Sequence, residues 1–140
     1  MTSWRSGGAK LNVTDYVFDA SAILALILQE QGKDAVEEYL MESRWIASVN
    51  LAEIVTKLVD YAYTDADISE SLGELGLDVV DFDGSQALEA GRLRKETRGL
   101  GLSLGDRACL AVAMAMRCPA ITADRTWQSL ALPIQVYTVR

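Results

Sequence analysis

The pattern of apolar runs predicts an α/β domain, a parallel sheet with helices on both faces, and three observations carry that prediction. Short runs of strand character recur at 16–18, 45–49, 79–82, 120–122 and 134–139. The stretches between them are longer and place apolar residues at helical spacing. Strand and helix patterns therefore alternate, and parallel strands need such crossovers to be joined. With 140 residues, 50% of them hydrophobic, the chain has material for one core and little room for a second.

The elements follow in order. Residues 1–14 include Ser6-Gly7-Gly8 and read as a flexible leader, with 15–140 as a single domain. Tyr16-Val17-Phe18 is a short buried strand. The stretch 21–29 is apolar and free of breakers, which predicts a helix, and 34–41 predicts another after the turn at Gly32. After the second strand, Asn50 opens a long helix with Leu51, Ile54, Val55, Leu58 and Val59 on one side. An acidic amphipathic helix over 64–75 ends at Gly76. The third strand leads to a helix over 85–97 rich in basic residues. The stretch 103–116 is an Ala-dense, largely buried helix that closes before Pro119. A short helix over 125–130 separates the fourth strand from the last.

Composition excludes several chemistries. The chain has no His, which removes Ser-His-Asp and Cys-His catalysis and His-containing zinc sites. Cys109 and Cys118 form no Cys-x-x-Cys pair and lie in an apolar stretch, as buried small hydrophobes do. The first residues lack the apolar core of a secretory signal, and the run 108–116 is far shorter than the ~20 residues of a membrane span. A cytoplasmic protein without membrane contact is expected. The net charge of −7 is unusual for a nucleic-acid enzyme, since phosphate is ordinarily met by Lys and Arg.

In open parallel sheets, ligands bind beyond the carboxyl ends of the strands. Four acids fall there: Asp19 after the first strand, Glu53 in Asn50-Leu51-Ala52-Glu53, Asp106 in Ser103-Leu104-Gly105-Asp106, and Asp124 after Thr122-Ala123. Each alone has an ordinary explanation as a helix cap: Asn50-x-x-Glu53 and Ser103-x-x-Asp106 have capping-box spacing, and Asp19 and Asp124 suit N-caps. Asp81 and Asp83, at the end of the third strand, fit that explanation. Together the four weigh differently. Glu53 and Asp106 precede strongly apolar residues, and carboxylates sharing a low-dielectric pocket repel unless protons or cations intervene. All-oxygen ligation points to Mg²⁺ or Mn²⁺. Such ions support phosphodiester hydrolysis, and they supply the positive charge the chain lacks.

Val17-Phe18-Asp19-Ala20-Ser21, Asn50-Leu51-Ala52-Glu53, Leu102-Ser103-Leu104-Gly105-Asp106 and Ile121-Thr122-Ala123-Asp124 resemble the successive signatures of PIN domains, most closely those of VapC-type toxins of toxin–antitoxin pairs. The resemblance runs from about Tyr16 to the C-terminus. It implies a three-layer PIN-like fold with about five parallel strands. It also implies a Mg²⁺- or Mn²⁺-dependent endoribonuclease acting on RNA, homodimers, and inhibition by a VapB-type antitoxin. By position, Asp19, Glu53, Asp106 and Asp124 are the catalytic and metal-binding acids, with Asp19 and Asp106 as direct ligands. Ser21, Thr122 and Asn50 match supporting polar positions, although Asn50 also suits a helix cap. The leader before Asp15 is longer than is usual for the family.

Arg107 and Arg125 adjoin two of the acids and are candidate RNA contacts. Arg92, Arg94, Lys95 and Arg98 suit either a phosphate-binding patch or a solvated helix face. Gly99, Gly101 and Gly105 match no phosphate-loop spacing and read as a turn. The stripe Ile23, Leu24, Ile27, Leu28 reads as core. Three rival functions stand beside the toxin nuclease. One is a receiver- or phosphatase-type domain, which lacks the expected Asp-x-Asp and late Lys here. The others are a non-catalytic PIN-like binding module and a housekeeping PIN-domain RNA-processing nuclease without antitoxin.

Overall fold

The structure, a computed structural model, describes residues 15–140. The leader expected over 1–14 lies outside the described residues.

Five short strands form one sheet: β1 (Val17–Phe18), β2 (Trp45–Ala47), β3 (Asp78–Val80), β4 (Ala120–Thr122) and β5 (Val136–Thr138). All pairings are parallel, in the order β3-β2-β1-β4-β5. Alternate residues of each strand point to opposite faces. Phe18, Ile46 and Ile121 thus enter one apolar core with Ile23, Val36, Ile54, Leu58 and Ile68. Val17, Ala47 and Ala120 enter the other, with Leu93, Cys109, Leu110, Val112 and the fully buried Trp127. The first core is roofed by α1 (Ala20–Ile27), α2 (Lys33–Leu40), α3 (Ser48–Asp60) and α4 (Asp65–Leu75). The second is roofed by α5 (Gly84–Arg92) and α7 (Leu104–Met116), with the short α6 (Arg94–Thr97) following α5. This is the expected three-layer α/β fold. Among the described residues no helix is long and apolar enough to cross a membrane. Both cysteines are free and buried, as expected.

Three local expectations need correction. The second strand stops at Ala47, and α3 begins at Ser48. Asn50 is therefore inside the helix and does not cap it: its side chain is fully buried and bonds elsewhere. The basic helix over 85–97 is two pieces, α5 and α6, joined at Leu93 and followed by a 3-10 turn over Arg98–Leu100. That turn closes at Gly101 with φ +66°, a conformation glycine adopts without steric cost. The short helix after β4 is a 3-10 turn over Arg125–Ser129.

The order of strands sets the site. Chain connections leave β1 toward β2 on one side and reach β4 on the other, so the carboxyl ends of these central strands open a crevice. Helices α1, α3 and α7 begin at that edge or pack against it.

Candidate active site

Asp19 follows β1 directly and is 3% exposed. Its backbone N–H donates to the Ile121 carbonyl at 2.8 Å, which extends the β1–β4 pairing by one bond. It stands in the N-cap position of α1, yet its side chain caps nothing. Instead the Ser21 hydroxyl donates to Asp19 Oδ2 at 2.6 Å and the Thr122 hydroxyl donates to the same oxygen at 3.2 Å. Ser21 Oγ accepts from the Ala123 N–H at 3.0 Å, and Thr122 Oγ1 accepts from the Asp124 N–H at 3.1 Å. The two supporting hydroxyls are thus locked by β4 and its exit. Among the described residues no donor reaches Oδ1. Burial pushes the Asp19 carboxyl up to about 7; the Ser21 bond works against this, and the charges of Asp106 and Glu53 add to it.

Glu53 lies on the second turn of α3. Asn50 Nδ2 donates to Glu53 Oε1 at 2.8 Å and to the Gly105 carbonyl at 2.9 Å, so one buried amide ties α3 to the start of α7. Asn50 Oδ1 is buried without a partner among the described residues. Partial burial raises the Glu53 pKa, the Asn50 bond lowers it, and Asp106 raises it again. Gly105 is needed for this packing. A Cβ there would stand 2.7 Å from Glu53 Oε1 and nearer still to the rest of the carboxyl group.

Asp106 sits in the first turn of α7 and completes the capping box that its spacing predicts. Its N–H donates to Ser103 Oγ at 3.1 Å, and the Ser103 N–H donates to Asp106 Oδ2 at 2.9 Å. The box orients the side chain and still leaves it facing the crevice. Asp19, Glu53 and Asp106 line one open cleft of about 560 Å³, together with Ser21, Leu24 and the outer face of α3.

Asp124 is not among the residues lining that cleft. Its Oδ1 accepts from the Thr126 N–H at 3.0 Å and the Thr126 hydroxyl at 2.8 Å, capping the 3-10 turn. Its link to Asp19 runs through the Thr122 hydroxyl. Arg107 and Arg125 do not line the cleft either. Arg107 donates to the Ala90 carbonyl at 2.8 Å and ties α7 to the end of α5, while Arg125 is exposed. Arg92 and Lys95 border a separate depression with Leu132 and Pro133. The cleft walls that the sequence reading missed are Thr56, Lys57 and Asp60. They stand three, four and seven positions after Glu53, the spacing that shares one helix face, so periodicity from Glu53 would have found them.

The donor set is all oxygen and suits a hard divalent cation such as Mg²⁺ or Mn²⁺. Among the described residues no three Asp, Glu, His or Cys side chains close tightly enough to cage an ion by themselves. Mg²⁺ does not require a cage, since it keeps several waters and takes one or two carboxylates. Asp19 carries the fit: a buried carboxyl with one oxygen fixed by two hydroxyls, which a neighbouring cation would favour in its ionised form.

Comparison with known proteins agrees with this architecture. No curated protein matches the chain significantly. Among solved structures, the chain is similar to VapBC2 from Rickettsia felis bound to a DNA fragment from its promoter (17% identity, 89% of this chain and 98% of that one, TM-score 0.69). It is also similar to a toxin–antitoxin complex from Klebsiella pneumoniae (19% identity, 85% and 94%, TM-score 0.68). A third likeness is to VapBC-5 of the VapBC toxin–antitoxin family from Mycobacterium tuberculosis (21% identity, 89% and 98%, TM-score 0.59). These likenesses are of fold. A family model described as PIN domain matches residues 16–132, from the strand that delivers Asp19 to beyond Asp124, and the chain belongs to the PIN-domain family.

Proposed function

We propose that this chain is a Mg²⁺- or Mn²⁺-dependent endoribonuclease, the toxin of a VapBC-type toxin–antitoxin pair. The observation that carries the reading is the meeting of Asp19, Glu53 and Asp106 around one cleft, with Asp19 buried and its carboxyl raised to about 7. Nuclease chemistry is the general activity of the family. The toxin assignment is supported by the fold likeness to toxin–antitoxin complexes.

Asp19 and Asp106 would hold the cation, with Glu53 sharing that role or orienting the attacking water; Asp124 acts from outside the cleft through Thr122. When bound, the ion supplies the positive charge that draws phosphate oxygens and makes water more acidic. Ser21 and Thr122 hold the Asp19 carboxylate in one orientation, and Asn50 holds Glu53. Leu24 and Ala20 add apolar surface to the cleft wall beside the carboxylates. In this reading 15–140 works as one cytoplasmic unit, pairs with a second copy, and is silenced by a VapB-type antitoxin.

The test is cleavage of unstructured RNA by the purified protein with Mn²⁺, with and without a chelator, beside Asp19→Asn and Asp106→Asn. Chelator-sensitive cleavage by the wild type alone is expected. Cleavage that survives in both variants would reject the site.

A further inference from the structure

Lys57 is the only basic side chain among the described residues that line the acid cleft. It follows Glu53 by one helical turn on α3, on the same face and about 6 Å further along the axis. Its ammonium lies 5.8 Å from the centroid of the Tyr61 ring. Tyr61 is 53% exposed, and a cation–π contact at such a surface is weak enough to be exchanged for a stronger partner. Asp60 shares the cleft wall, yet among the described residues no carboxylate lies within ion-pair distance of Lys57. Arg107 and Arg125, the arginines nearest the acids in sequence, do not line the cleft, Arg107 being bound to the Ala90 carbonyl. Among the described residues the cleft therefore has one exposed cation, a helical turn beyond Glu53 and in no ion pair.

We propose that Lys57 is a phosphate-positioning residue: its ammonium binds the phosphodiester flanking the one held at the carboxylates, and so lays an RNA strand along α3. The flanking phosphate is the one in reach, because a full helical turn separates Lys57 from Glu53. The contact is to backbone, so it adds affinity without sequence preference. This inference rests on the ribonuclease reading above, and its test separates the two.

Initial rates on an unstructured RNA oligonucleotide, with Mn²⁺ and between about 50 and 200 mM salt, are compared for wild type, Lys57→Gln and Lys57→Arg. Lys57→Gln is expected to raise KM roughly three- to ten-fold with kcat nearly unchanged, and to reduce the salt slope by about one. Lys57→Arg should restore both. Melting temperatures should match, since Lys57 is exposed. Anisotropy of a labelled RNA on Asp19→Asn protein, with and without Lys57→Gln, reads the same slope where nothing is cut. A smaller slope there, with no cleavage by wild type, would sink the ribonuclease reading and keep the phosphate contact. Equal slopes with and without Lys57→Gln would overturn the contact. A changed Mn²⁺ requirement with an unchanged slope would also overturn it, and would assign Lys57 to balancing the acids.

Discussion

Asp19 shows how one side chain can be costly to the fold and useful to the site. A carboxylate in the N-cap position normally bonds the first free N–H groups of its helix. Here it turns instead toward Ser21 and Thr122, and burial holds its proton up to about 7. An acid whose pKa is raised by folding stabilises the native state fully below its ordinary value. That contribution is lost as pH rises through about 7. In metal-free protein, Asp19→Asn should therefore be more stable than the wild type at pH 8, by on the order of 4 kcal/mol, with the gap closing toward pH 4. Thermal melts across that range check it; a gap independent of pH would mean that Asp19 is not protonated by folding. Gly105 offers the opposite separation. In Gly105→Ala the new methyl meets the end of a flexible side chain, so Glu53 is expected to move while the fold holds. Alanine is also the better helix former by about 1 kcal/mol. The variant should melt no lower than wild type and lose at least about ten-fold in the proposed cleavage, as displacement of a proposed catalytic group permits.

At the scale of elements, the same spacing has two outcomes. Ser103-x-x-Asp106 is a capping box, as its sequence predicts. Asn50-x-x-Glu53 has similar spacing and is not one, because α3 starts two residues earlier and the amide is drawn into the contact with α7. Spacing reports that two residues can meet; which backbone groups are free depends on where the helix begins, and tertiary packing decides that. Asp124, the fourth acid of the expected quartet, caps the 3-10 turn after β4 with its carboxylate and stands outside the cleft lining. The Ser103 box yields its own prediction. Ser103→Ala removes the hydroxyl cap and should cost about 1 kcal/mol in chemical denaturation. Cleavage should stay within a few-fold of wild type, because the backbone N–H at 103 still holds Asp106 Oδ2. A large loss of cleavage would show that the hydroxyl does more than cap.

For the molecule as a whole, the alternation of strands and helices was legible because period and punctuation are local. The order β3-β2-β1-β4-β5 was not, since it depends on which faces pack together. The acids after the strands were legible as a group by a general rule of parallel sheets, with Asp19, Glu53 and Asp106 at one cleft and Asp124 outside it. Arg107 and Arg125, expected as RNA contacts, stand outside the lining of the cleft. Neighbours along a helix point about 100° apart, so Arg107 does not follow Asp106 to the cleft, whereas Lys57 follows Glu53 at a distance of four. The net charge of −7 and the carboxylates that line one cleft are what the proposed cation would balance. Calorimetric titration with Mn²⁺ of wild type beside Asp19→Asn tests it most directly. Saturable uptake by the wild type, at least about ten-fold weaker in the variant, is the predicted result. Equal uptake by both proteins, or none by the wild type, would contradict it.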